Sequence, residues 1–240
     1  MHEHISRPLR LHELADAAYL SPFHFERVFH ATTGVSAVAF ASALRIDAAK
    51  RLLASGEASV TDACFSLGYG SLGSFVSRFT RSVGVSPGAL RASVARDDGT
   101  PVVRTAEGRV RLANGAWSIF GSIGGDVRAD TVVWVGAFAR GVPDGPPLAG
   151  TLVHGAGPFR IDALVPGTYH VLALGVPRAT SLRGYVALGE SARVGKGGGV
   201  VVGPTGPAAF VRIDLAAPRP TDPPILVALP LIGSDRARSE

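Results

Sequence analysis

The chain has 240 residues, of which 46% are hydrophobic and 18% are charged, and its formal net charge at pH 7 is +5. A single cysteine, Cys64, excludes an internal disulfide and favours a reducing cytoplasm, and no run approaches the roughly 18 consecutive apolar residues of a membrane span. The sequence is therefore expected to be a soluble cytoplasmic protein with no membrane partner. The mild positive charge is compatible with an anionic partner but does not select one.

The first predicted unit is a pair of helices joined by a tight turn. A short helix is indicated by apolar residues at helical spacing: Leu11, Leu14, Ala15 and Ala18. Ser21 then suits the N-cap of a second helix, with Pro22 at its first position. Gly34 stands where that helix is expected to end, because glycine readily adopts the left-handed conformation.

A longer helix is predicted next, from Ser36 to Ala54, capped by Ser36 and ended by Gly56. At 1.5 Å per residue its length is about 28 Å. Successive major-groove faces on one side of a duplex lie about 34 Å apart. A rigid helix of this length is able to hold two reading helices in two adjacent turns of the groove.

The first unit is then repeated. Fifty residues further on, serine and phenylalanine return at matching positions: Ser21, Phe25 and Phe29 in the first copy, and Ser71, Phe75 and Phe79 in the second. An apolar pattern at helical spacing precedes this copy too, at Val60, Ala63, Cys64 and Leu67. Ser71 suits an N-cap and Gly84 a helix end. A repeat in one register predicts a duplicated helix-turn-helix unit.

This succession closely resembles the AraC/XylS-type DNA-binding domain over about residues 5–91. The segments that carry the resemblance are "LHELADAAYLSPFHFERVFHATTGVS", "LRIDAAKRLL" and "SVTDACFSLGYGSLGSFVSRFTRSVGVSPGALR". The family's linker-helix signature falls on Arg45, Ala49, Leu52 and Leu53. The resemblance implies a bacterial transcription regulator with two recognition helices, one beginning after Ser21 and the other after Ser71.

Two features of the second copy bear on how it would contact DNA, in addition to Leu90, which replaces the closing aromatic of the family pattern. Ser77 stands where the family usually has an arginine, and the arginine is displaced to Arg78. Gly73 lies inside the second recognition helix, where it costs about 1 kcal/mol relative to alanine. The second helix is therefore expected to read bases weakly or to contact mainly the DNA backbone.

The first recognition helix supplies five candidate DNA contacts. Phe25, Val28 and Phe29 are expected to face inward, which leaves these residues on the outer faces: Phe23, His24, Glu26, Arg27 and His30. Arg27 is the candidate for base reading, because a guanidinium can bond bidentately to guanine; the alternative is a solvated helix arginine. Glu26 either accepts from a cytosine amine or pairs with a basic residue.

The second helix and the segment after it supply five more candidates. Leu72, Ser74 and Arg78 are expected to be exposed, and Arg81 and Arg91 to contact phosphates. Leu72 either contacts a thymine methyl or packs against the turn.

From about Asp97 the pattern changes to short apolar runs separated by glycine and proline. Seven strands are predicted, at "WSIFGSI", "TVVWVGAFA", "AGTLVH", "FRIDAL", "GTYHVLALG", "AAFVRIDLA" and "ILVALPLI". They favour an antiparallel β-sandwich. The run "GPFRIDALVPGTYHVLALG" resembles a transthyretin-like or carboxypeptidase-regulatory sandwich, a fold that does not by itself imply an activity.

The predicted fold class is therefore two domains: an all-α double helix-turn-helix at 1–96, a linker at 97–114 and an all-β antiparallel sandwich at 115–240. The C-terminal domain is expected to sense a small-molecule effector, bind a partner or join two protomers. Gly195-Lys196-Gly197 is interpreted as a flexible hairpin, since it lacks the first glycine and the Ser/Thr of a phosphate-binding loop. His154 and His170 lack metal-ligand spacing, so neither a metal nor a cofactor is expected.

The leading functional interpretation is a sequence-specific transcription regulator that binds double-stranded promoter or operator DNA, with RNA polymerase as a further expected partner. One alternative is a non-regulatory module in which both halves bind protein. Another is an enzyme built on the sandwich, which the absence of a catalytic motif disfavours.

Overall fold

A computed structural model of the chain describes residues 5, 9–102, 110–111, 115–188, 191–204 and 209–232. The helices of the N-terminal region are α1 (Leu11–Ala17), α2 (Pro22–Thr33), α3 (Ala37–Ser55), α4 (Val60–Ser66), α5 (Leu72–Val83) and α6 (Pro87–Ala95). The strands are β1 (Val110–Arg111), β2 (Trp117–Gly125), β3 (Thr131–Phe138), β4 (Ala149–His154), β5 (Gly157–Leu164), β6 (Gly167–Pro177), β7 (Arg193–Val202) and β8 (Ala209–Leu215). Two further helices are α7 (Leu182–Ala187) and α8 (Leu229–Ile232). Residues 103–109 and 112–114 of the predicted linker lie outside the described residues, as do residues 233–240.

Serine and glycine set the limits of the three helices that matter most for the site. The hydroxyl oxygens of the N-cap serines of α2, α3 and α5 each accept a backbone N–H three residues further on, at 3.2 to 3.3 Å: Ser21, Ser36 and Ser71. Glycines in the left-handed conformation end the same helices: Gly34, Gly56 and Gly84. The predicted caps and ends of these helices are confirmed.

Aromatic side chains hold the two helix-turn-helix units to α3. Phe75 and Phe79 of α5 are fully buried, with ring centroids 5.7 Å apart. On the other side, Phe29 of α2 packs edge-on against Phe40 of α3 at 5.4 Å. Phe75 and Phe79 belong to the same apolar cluster as Phe40 and Leu44 of α3, so this helix forms the spine between α2 and α5.

The C-terminal region consists of two sheets packed face to face. One has the strand order β1-β4-β3-β6-β7 and the other has the order β5-β2-β8. Their facing side chains form an apolar layer that includes Ile119, Val133, Val171 and Ile213. The predicted all-antiparallel pairing is wrong at β2 and β8, which run parallel with Phe120 beside Phe210. Parallel pairing requires a long crossover, and here most of the region separates the two strands.

Two segments differ from the sequence prediction. The predicted flexible hairpin at Gly195-Lys196-Gly197 belongs to β7, where Cβ atoms on the two glycines would collide with Ile213 and Val211 of β8. The glycines therefore let the two sheets approach closely.

The predicted last strand, "ILVALPLI", is also wrong. Residues 223–228 run without regular secondary structure into α8. The Ala228 N–H donates to the Val83 carbonyl at 2.9 Å, outside any sheet.

Helix α7 and residues 223–232 lie between the five-stranded sheet and the helical region. Trp134 of β3 points away from the other sheet and packs edge-on against the buried Tyr185 of α7, with ring centroids 5.3 Å apart. Side chains of the C-terminal region also join the apolar cluster of the helical region: Val142, Val186, Leu226 and Ala228. The two regions therefore share a continuous apolar core.

Loss of the Tyr185 hydroxyl is expected to destabilise this middle layer. The hydroxyl donates to the Val227 carbonyl at 3.2 Å in a fully buried setting, so Tyr185→Phe leaves that carbonyl without this donor. We expect the free energy of unfolding to fall by about 1–2 kcal/mol. Urea unfolding measures the change, and Tyr19→Phe is the matched control, because the Tyr19 side chain is 95% exposed and should leave the stability unchanged. Equal stability of the wild-type and Tyr185→Phe proteins would contradict the bond.

Candidate nucleic-acid interface

The outward face of α2 is apolar at its N-terminal end and cationic one turn later. Phe23 is 83% exposed, and Arg27 and His30 are also exposed. The Arg27 Nη2 lies 3.1 Å from the His24 Nδ1, so the partly exposed imidazole helps to orient the guanidinium. The prediction that Val28 faces inward is wrong, since its side chain is 43% exposed. The contact with α3 is made by Phe29, one residue further around the helix.

Glu26 is held by the start of α3. Its Oε2 accepts the Ala37 N–H at 3.3 Å, and the carboxylate is only partly exposed. A carboxylate is favoured at a helix N-terminus, where backbone N–H groups lack partners within the helix. In this structure Glu26 therefore connects α2 to α3.

Helix α5 has an outward face with no acidic residue. Leu72, Ser74 and Arg78 are exposed, as their spacing predicts. The Ser74 hydroxyl bonds to its own N-cap residue, Ser71, whereas the Arg78 Nε donates to Ser42 Oγ of α3 at 2.9 Å. The single bond from Nε leaves the terminal nitrogens of Arg78 as further donors. A Cβ at Gly73 would meet no atom within 4 Å, so this glycine opens the surface beside Leu72.

The turn before α5 is fixed by an aromatic contact. Tyr69 packs 5.0 Å from the Phe75 ring, and the Arg45 guanidinium of α3 lies 6.0 Å from the Tyr69 ring centroid. Burial raises the pKa of Tyr69, so its phenol stays protonated at neutral pH. These contacts position the N-terminal end of α5 against the side of α3.

The two predicted phosphate contacts lie in different surroundings. Arg81 is exposed in the last turn of α5, on the same helix as Arg78. Arg91 is exposed on α6 but lies beside Arg183 of α7, at a cavity lined also by residues of α3 and α4. Arg91 therefore lies at the cavity, apart from the candidates on α2 and α5.

The C-terminal region contacts the last turns of α2 and α5 and leaves their first turns exposed. The Lys196 Nζ lies 3.4 Å from the Thr33 carbonyl at the end of α2. At the end of α5, Gly145 N–H donates to the Ser82 carbonyl at 2.6 Å, and Ala228 N–H donates to Val83. The C-terminal region therefore fixes the C-terminal ends of both α2 and α5.

Within the part of the chain that the structure describes, two other kinds of site are missing. No helix there combines the length and the apolar character needed to cross a membrane. No group of three or more His, Cys, Asp or Glu side chains is arranged to hold a metal ion.

Comparison with known proteins gives the helical region a family. Residues 14–93 match the family described as a helix-turn-helix domain. The chain is 34% identical over 99 residues to the MmsAB operon regulatory protein of Pseudomonas aeruginosa. This match covers 41% of this chain and 32% of that protein. It is 30% identical over 97 residues to the uncharacterized HTH-type transcriptional regulator YobQ of Bacillus subtilis, and this match covers 40% of each protein.

A solved structure is also similar to part of this chain. The DNA-binding domain of AdpA, the global transcriptional factor, in complex with a target DNA, is 32% identical, with a TM-score of 0.37, over 38% of this chain and 83% of that chain. The chain spans about two fifths of the length of YobQ and about a third of the length of the MmsAB operon regulatory protein. The sequence prediction of an AraC-type helix-turn-helix domain is confirmed for residues 14–93.

Proposed function

We propose that this protein is a sequence-specific transcription regulator whose helices α2 and α5 enter adjacent turns of the major groove of double-stranded promoter DNA. The observation that carries the proposal is the pair of capped helices on either side of α3, each with an exposed N-terminal half and an outward arginine. Recognition helices of helix-turn-helix proteins contact bases through their N-terminal residues. The helix-turn-helix match and the similarity to two transcriptional regulators support it.

Within that proposal the candidate residues divide by their chemistry. Arg27 reads bases, because a guanidinium can form bidentate bonds to guanine. Arg78 of the second helix reads bases more weakly or contacts mainly the DNA backbone. Apolar contacts with thymine methyl groups come from Phe23 and Leu72. The remaining candidates on α2 and α5 contact sugar and phosphate or support the readers: His24, Glu26, His30, Ser74 and Arg81. Arg91 of α6 lines a cavity with Arg183 and stands apart from this surface.

The C-terminal region is proposed to be a transthyretin-like sandwich with an effector or interaction role. The outer face of its three-stranded sheet supports an interaction role, since Phe210 is 70% exposed and stands beside the exposed Phe120. The Arg160 guanidinium lies 5.1 Å from the Phe120 ring centroid on the same face. Exposed aromatic side chains next to arginine are typical of protein contact surfaces. RNA polymerase is a proposed partner of the whole chain, in the cytoplasm.

Selection of bound oligonucleotides from a random pool tests the DNA-binding role. We expect a consensus sequence to emerge, because outward arginines on two helices discriminate between bases. In a gel shift with the selected site, Arg27→Ala should weaken binding by about 1–3 kcal/mol and relax the preference at one base pair. Equal affinity of the wild-type protein for the selected site and a scrambled one would contradict specific recognition. Absence of binding to any DNA would favour the alternative of a module that binds only protein.

A further inference from the structure

A cavity of about 330 Å³ lies where the two regions meet. Its floor is apolar and belongs to the helical region, with Leu53, Ala54 and Val94 almost completely buried. Arg91 of α6 and Arg183 of α7 stand in its lining. The volume is at the lower end of the range for small-molecule sites, about 300–1,000 Å³. Only a small ligand fits such a space.

The Arg183 side chain is fixed in place by the ends of two helices. Its Nη1 donates to the Ala54 carbonyl of α3 at 3.1 Å and its Nη2 to the Val94 carbonyl of α6 at 3.4 Å. Its backbone N–H donates to Asp97 Oδ2 at 2.8 Å. Since a guanidinium carries five N–H donors, two bonds from its side chain leave others for a ligand. Arg183 is therefore a preorganised cation at the mouth of the cavity.

The lining of the cavity carries positive charge. Its lining holds two arginines and, among the described residues, no acidic side chain. Arg91 forms no hydrogen bond or ion pair with any other described residue, so its guanidinium is available. Two guanidiniums beside an apolar floor match a ligand that carries one carboxylate on an apolar body. A strongly hydrated anion such as free phosphate would lose its hydration against that floor.

We infer that this cavity binds a small monocarboxylate with an apolar body, whose carboxylate bonds to Arg91 and Arg183 and whose body rests on Leu53 and Val94. One guanidinium comes from the helical region and the other from the C-terminal region. The bound ligand therefore bridges the two regions and stabilises their contact. The site would supply the effector role proposed above, but its test uses no DNA and stands apart from the proposal of DNA binding.

Titration calorimetry of the full chain with phenylacetate and with 4-methylpentanoate tests the site. We expect at least one of the two acids to bind with a Kd of about 1 mM or tighter, and the neutral analogue phenylacetamide to bind at least about tenfold more weakly. Arg91→Gln removes one of the two cations and should raise the Kd for the acid about tenfold or more. Ala92→Phe places a ring in the cavity from an exposed position on α6 and should abolish binding.

The matched control is Arg96→Gln, which removes an exposed arginine at the end of α6 that does not line the cavity. It should bind the acid as the wild-type protein does. Both test positions are exposed, so the variants should keep the wild-type melting temperature. Absence of binding by both acids at about 10 mM, well above a Kd of about 1 mM, would overturn the inference. Binding that is unchanged in Arg91→Gln or Ala92→Phe, or equally tight for phenylacetamide, would also overturn it.

Discussion

Between pH 8 and pH 10.5, the free energy of unfolding of the wild-type protein should rise by about 3 kcal/mol relative to that of Lys50→Met. Lys50 lies in α3, its side chain is fully buried, and its Nζ donates to the Ile225 carbonyl at 2.6 Å. Burial lowers the pKa of Lys50 from 10.5 to about 8, and the nearby carboxylate of Asp47 only partly opposes this effect. The surroundings of Lys50 therefore favour its neutral amine over the charged ammonium.

The direction of the change follows from proton binding. In this pH window the unfolded chain keeps the Lys50 proton and the folded protein has lost it, so stability rises with pH. Below about pH 8 both states are protonated, and the cost of burying the charge is constant. Methionine does not titrate and has a similar shape, so Lys50→Met lacks the rise.

Urea unfolding of both proteins across this range measures the difference. The partly buried Tyr69 and the buried Tyr185, whose pKa values are raised by burial, lower the stability of both proteins as the pH rises, and their effect cancels in the comparison. Lys50→Met also leaves the Ile225 carbonyl without its donor, which changes the stability by an amount independent of pH. Parallel pH profiles for the two proteins would contradict the burial of a titrating amine where α3 meets residues 223–228.

The double variant Arg27→Ala/Arg78→Ala should lose more binding free energy for its selected DNA site than Arg27→Ala, which should lose about 1–3 kcal/mol. Arg78 is the weaker reader, and the two arginines lie on different helices without a shared partner, so its smaller loss should add to that of Arg27. Quantitative gel shifts of the wild-type, single and double variants at one fixed salt concentration give the three differences.

Removal of any two cations weakens DNA binding through loss of charge, so a matched control is needed. Arg128→Ala/Arg212→Ala removes two arginines of the C-terminal region whose side chains are 79% and 71% exposed. This control should bind the selected site nearly as tightly as the wild-type protein does. If the control and the test variant weaken binding equally, the arginines of α2 and α5 act only through net charge.

Local signals in the sequence were sufficient for the helical region. The capping serines and the left-handed glycines are read from single residues, and they fix both ends of α2, α3 and α5. The fifty-residue repeat identifies the phenylalanines that pack against α3. The error at Val28 comes from helical spacing, which did not distinguish Val28, whose side chain is exposed, from Phe29, which packs against Phe40.

Long-range packing explains what the sequence did not predict in the C-terminal region. The glycines of β7 are typical of a flexible turn, and only the approach of Ile213 and Val211 from the other sheet explains them. The apolar run at 225–232 is typical of a strand, but its N–H groups find partners in the helical region and in the loop after β3. The roles of Lys50 and Arg183 depend on segments more than a hundred residues away, which no local pattern reveals.

Hydroxyl-radical footprinting on the selected DNA site tests the central claim most directly. Two helices held on one rigid spine should protect two backbone tracts on the same face of the duplex, about 10–10.5 base pairs apart. Arg27→Ala and Arg78→Ala should each weaken a different tract. A single protected tract, or two tracts on opposite faces of the duplex, would contradict the placement of α2 and α5 in adjacent turns of the major groove.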